Sequence, residues 1–177
     1  MAALSPWPFV RAHFNSLRDR SGRIPRGLIF INLVAPALAG LAAYFLDVRA
    51  RGSDGLIAGV SLLGAGLFAL LVRVYEMSSE LADRARADNS GVRTVGRVQV
   101  FRSVGANVGY ATLLCVVTAA TLVIGQQSLD KQGRISATWT AITIALLFHL
   151  ATTFLIVLRR TYRVLERELQ TAETGDG

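Results

Sequence analysis

Cysteine, lysine and histidine are scarce in this 177-residue chain, which has Cys115, Lys131 and the two histidines His13 and His149. One cysteine excludes a disulfide framework within the chain. Together with two histidines far apart in sequence, it offers no cluster of metal ligands. No glycine-rich loop precedes a lysine, so a phosphate cradle of the P-loop kind is excluded. Charge is missing over long distances. Gly27–Leu46, Gly55–Val72, Ser103–Leu129 and Ile135–Leu158 carry none, and together they make up 89 of the 177 residues. Without an Asp or Glu in these stretches, no pair of carboxylates can serve acid–base chemistry or relay protons inside them. The run Gly59-Val60-Ser61-Leu62-Leu63-Gly64 has its second glycine one residue too late for a nucleophile elbow. The expectation is a protein that is not an enzyme, with no catalytic residue, no metal site and no cofactor.

Half of the chain is hydrophobic (52%), with a mean hydropathy of +0.44. A water-exposed helix alternates polar and apolar positions, so charge-free blocks of this length do not belong to one. At 1.5 Å per residue each is long enough for about 30 Å of hydrocarbon. The reading is an all-α integral membrane protein, a four-transmembrane-helix bundle with cytoplasmic helical extensions. The predicted spans are 27–46, 55–74, 104–126 and 136–158. A soluble domain, a disordered chain and a nucleic-acid binder are excluded.

Charge supplies the orientation. Fifteen arginines fall in the N-terminal segment, the long middle loop and the C-terminal segment. The two short loops hold only Arg49, Arg51, Lys131 and Arg134. Cationic residues are retained on the cytoplasmic side, so both termini are expected inside a cell (plasma or inner) membrane. The net charge of +7 then reflects orientation and contact with anionic headgroups of the lipid bilayer rather than nucleic acid. The first apolar run is of span length, which predicts an uncleaved helix rather than a signal peptide. Eighteen arginines to one lysine, with abundant alanine, point to a GC-rich bacterial source.

Segment 1–26 places Phe9, Val10, His13, Phe14 and Leu17 at helical spacing behind Trp7, which predicts an amphipathic helix lying in the interface. Ser21-Gly22 and Pro25 break the chain after it. In the first span Pro36 removes the N–H that would meet the carbonyl of Asn32, so a kink is predicted there. The short loop after it predicts that spans one and two pack as a hairpin. Gly55-x-x-x-Gly59 and Gly105-x-x-x-Gly109 are small-residue pairs that allow close approach of helices, mainly within one chain. Asn89-Ser90-Gly91 divides segment 75–103 into a cytoplasmic helical hairpin with arms of about 20 Å. Segment 159–177 begins with a helix continuing the fourth span and ends in a tail.

The polar groups left inside the spans are few. His149 shares a helical stripe with Thr138, Ala141, Ala145 and Thr152. Asn32, Asn107 and Tyr110 enter from the same side as one another, so these four form a possible intramembrane polar cluster. An ionisable group at such depth is a functional candidate by default, although a neutral histidine hydrogen-bonded between helices is the commoner arrangement. The expected function is that of a membrane-anchored interaction or effector subunit, a homo-oligomer or bound to a soluble or membrane partner protein. Tyr75, Leu81, Phe101, Tyr162, Leu165 and Leu169 form its partner surface. The alternative is a small oligomeric channel or transporter with a polar path around His149. In topology alone the layout resembles small four-span membrane subunits of bacterial stress or phage-defence systems. That resemblance implies cytoplasmic helices meeting a soluble partner.

Overall fold

Long apolar blocks with few breakers form long helices, and the breakers that exist set where those helices end. The computed structural model describes residues 7–16, 25–87 and 91–174. Among them the elements are α1 (Trp7–Ser16), α2 (Arg26–Ile29), a π-helical turn (Phe30–Val34), α3 (Ala35–Phe45), α4 (Asp54–Ala87), α5 (Gly91–Gln126) and α6 (Ala137–Thr174). The breaks proposed at Ser21-Gly22 and Asn89-Ser90 lie outside the described residues, as do the side chains of Leu81, Phe101, Leu165 and Leu169. Four segments are long and apolar enough to cross a membrane: Arg26–Phe45, Asp54–Glu80, Val104–Gln126 and Ala137–Arg159.

α4, α5 and α6 have 34, 36 and 38 residues, lengths of about 51, 54 and 57 Å at 1.5 Å per residue. Each therefore exceeds about 30 Å of hydrocarbon by some 20 Å or more. Because neighbouring helices run antiparallel, all three surpluses emerge at the same end.

The helices form an open row. α3 packs on α6, α6 on α5 and α5 on α4, while α1 lies against α5. Among the described residues α3 makes no close approach to α4. The expected pairing of spans one and two is thus corrected: they are joined by a loop but packed on different neighbours, and the four helices do not close into a ring. α5 is the central member, with 50% of its most apolar window buried against 11% for α4. The core joins Val60 and Leu67 of α4, Val108, Ala111, Leu114 and Cys115 of α5, and Leu150 and Val157 of α6.

The tightest approaches fall at Gly40 and Gly64, outside the expected pairs. A Cβ at Gly40 would stand 2.8 Å from the Ala141 carbonyl oxygen and 2.9 Å from Ala145 Cβ, and one at Gly64 would stand 3.1 Å from Cys115 Cβ. Around Gly55 and Gly59 nothing lies within 4 Å, so that pair does not pack within the chain. Gly105 meets only Val74, at 3.4 Å, and Gly109 is buried. Small residues permit contact, but which of them are used depends on which helices become neighbours.

The two short loops are tied together at the end opposite the long arms. The Ile135 N–H donates to the Ala50 carbonyl at 3.0 Å, and the Ala50 N–H donates to Thr140 Oγ1 at 3.2 Å. Arg49 pairs with Asp47 at 3.1 Å and reaches Asp130 at 3.6 Å, while Arg134 pairs with Asp130 at 3.1 Å. The Arg134 N–H, and then that of Gln132, hold the Asp130 carboxyl below the ordinary carboxylate range. The bond to Asp47 raises the Arg49 guanidinium.

Candidate functional site

In the first apolar segment the chain absorbs Pro36 by inserting an extra residue into the preceding turn. The Ala35 N–H reaches back five residues to the Phe30 carbonyl, giving the π-turn Phe30–Val34. Such turns occur where the i to i−4 ladder is interrupted, as a proline interrupts it here. Asn32 sits inside this turn, 2% exposed. Its amide Nδ2 donates to the Leu28 carbonyl at 3.0 Å, and its Oδ1 has no hydrogen-bond partner.

Asn32 faces α6, and the helix register shows at what level. α3 and α6 run antiparallel, with Gly40 against Ala141 and Ala145. Counting back to Asn32 on one helix and forward on the other reaches the stretch between His149 and Thr153. At that level Nδ1 of the His149 ring makes no hydrogen bond. Thr153, fully buried one turn further along α6, also has an unpaired hydroxyl.

The other ring nitrogen of His149 is engaged by α5, with Nε2 standing 2.8 Å from the hydroxyl of Tyr110. Their rings meet edge-on, with centroids 5.9 Å apart. Tyr110 is also covered on its face by His13 of α1, the two rings stacked at 4.1 Å and only 12° from parallel. His13 Nδ1 donates to Asn107 Oδ1 at 2.8 Å, and Phe14 closes the side of the stack at 5.4 Å from His13.

The structure therefore brings together Asn107, Tyr110 and His149, and the helix register sets Asn32 at the level of His149. It adds His13, which the sequence reading set apart from His149. That separation is corrected: α1 folds back along α5, and both imidazoles contact the same tyrosine. α1 presses His13, with no exposed surface, onto α5. The signal was present in the sequence, since His13 lies on the apolar face with Val10 and Phe14, but the identity of the covering helix was not.

Tyr75 and Tyr162 are exposed, at 74% and 67%, near the ends where α4 and α6 leave their apolar segments. Among the described residues no three His, Cys, Asp or Glu side chains are grouped to hold a metal ion. Comparison with protein-family models, curated proteins and solved structures found no match.

Proposed function

We propose that the chain is a multi-pass integral membrane protein acting without catalysis, as a membrane-anchored interaction subunit that assembles with further copies or with a partner protein. The observation that carries this reading is the continuity of α4, α5 and α6 beyond their apolar segments at one end. A bare anchor needs no such arms, and three of them give a partner a rigid surface. With the arginine-rich segments at that end, the arms are cytoplasmic.

Aromatic side chains support the membrane placement. Tyr44 and Trp139 stand near the loop end, and Tyr75 and Tyr162 near the arm end. Trp139 and Tyr162 are 23 residues apart on one helix, about 34 Å at 1.5 Å per residue, a spacing that suits the two headgroup belts. The sparse covering of α4, with nothing within 4 Å of a Cβ at Gly55 or Gly59, favours assembly in the bilayer. A pore within one chain is disfavoured. The groove of about 310 Å³ between α4 and α6 is lined by apolar residues such as Val60, Leu63, Leu147 and Phe154.

The test is particle mass in lipid nanodiscs, with and without candidate partners. The wild type should form a complex, and Leu165→Asp with Leu169→Asp should release it while the chain remains inserted. A wild type that stays monomeric and captures nothing, or a variant that assembles fully, overturns the reading.

A further inference from the structure

Buried polar atoms without partners are costly wherever water is excluded, and three of them lie along one seam. These are Asn32 Oδ1, His149 Nδ1 and Thr153 Oγ1, on the line where the π-turn crosses α6. Elsewhere this seam is built from Gly40, Ala141 and Ala145, which require no polar partner. The exceptions therefore converge on the imidazole.

An imidazolium differs from a neutral imidazole in needing two hydrogen-bond acceptors instead of one. His149 has one oxygen in place and one ring nitrogen unpartnered. The Tyr110 hydroxyl stands 2.8 Å from Nε2, and the register of α3 on α6 sets the π-turn, with the unpaired Asn32 Oδ1, at the level of the unpaired Nδ1. We propose that His149 is a reversible proton-binding site, its proton shared between Tyr110 of α5 and Asn32 of the π-turn. On acidification both ring nitrogens become donors, and the charged ring ties the first, third and fourth apolar segments together. This goes beyond assembly, and it stands whether the chain is monomeric or oligomeric.

The groups facing the ring are few. Tyr110 is the titratable one on α5, and Asn32 on the π-turn is neutral. On α1, His13 stacks on the face of Tyr110 and is hydrogen-bonded to Asn107. Among the described residues no carboxylate or cation is paired with the ring, so Tyr110 and Asn32 supply the two acceptors that the charged form needs.

The test is nitrogen-15 NMR of histidine-labelled full-length protein in lipid nanodiscs as the pH is lowered, with His149→Gln assigning the signals. His149 should pass from one protonated ring nitrogen to two in a single step. Asn32→Val should lower the midpoint by about one to two pH units, a ten- to hundredfold weaker hold on the proton, as expected for a hydrogen bond to a charged group. If Asn32→Val does not fold, Asn32→Asp serves instead, and its carboxylate should raise the midpoint. A His149 that keeps one bare nitrogen throughout the folded pH range overturns the proposal. So does a midpoint that ignores position 32.

Discussion

Replacing Gly40 by alanine tests the packing of α3 on α6 directly. The added methyl would lie 2.8 Å from the Ala141 carbonyl oxygen and 2.9 Å from Ala145 Cβ. Carbon contacts are comfortable at about 3.5–4.0 Å, so the helices must separate there by roughly 0.6–1 Å. One of the two obstructing atoms is main chain, and no rotamer change relieves it. Overpacking of this kind costs about 1–3 kcal/mol. Gly64→Ala meets only Cys115 Cβ at 3.1 Å and should cost less. Gly66→Ala meets nothing within 4 Å and should stay within about 0.5 kcal/mol of wild type. Reversible unfolding in mixed micelles, followed by helix content, ranks the three. Adding Ala145→Gly to Gly40→Ala should restore part of the loss, because the Ala141 carbonyl remains in the way. If Gly40→Ala proves as stable as Gly66→Ala, the α3–α6 seam as drawn is wrong.

The other predictions concern α1 and the loop end. His13→Ala removes a ring stack and leaves Asn107 Oδ1 without its donor. The two losses together should weaken α1 docking by about 2–4 kcal/mol. Amide exchange along α1 would then accelerate selectively, while Arg11→Ala, at an exposed position, should change nothing. Asp130 is held below the ordinary carboxylate range, so its contribution is present above that range and is lost as pH falls through the lowered value. Protection of residues 130–135 should therefore fall in acid, below about pH 4, and Asp130→Asn should flatten that dependence. Constant protection in the wild type from pH 6 to pH 3 contradicts the assignment. Because these groups are solvent-exposed, salt should weaken the network as well.

Some of this was readable along the chain because the controlling physics is local. Charge-free runs of 18 to 27 residues require long apolar helices whatever they pack against, and Pro36 requires a break in the hydrogen bonding behind it. Tyr110, Asn107, Asn32 and His149 were legible as polar exceptions in apolar segments, since a polar group there needs a reason. His13 was not, because an amphipathic stripe reads the same whether it faces lipid or another helix.

Partner choice belongs to the tertiary structure. Gly40, Gly55, Gly59 and Gly64 are alike to any sequence rule, yet Gly40 lies against a neighbour's backbone and Gly55 lies open. The short loop after Phe45 invited pairing of α3 with α4, but α3 packs on α6. The extra residue in the turn that buries Asn32 is likewise invisible in the order of amino acids. Length and apolarity by themselves determined that there would be four long helices. Which faces meet depends on how several nearly equivalent apolar surfaces fit together, and only their packing decided that.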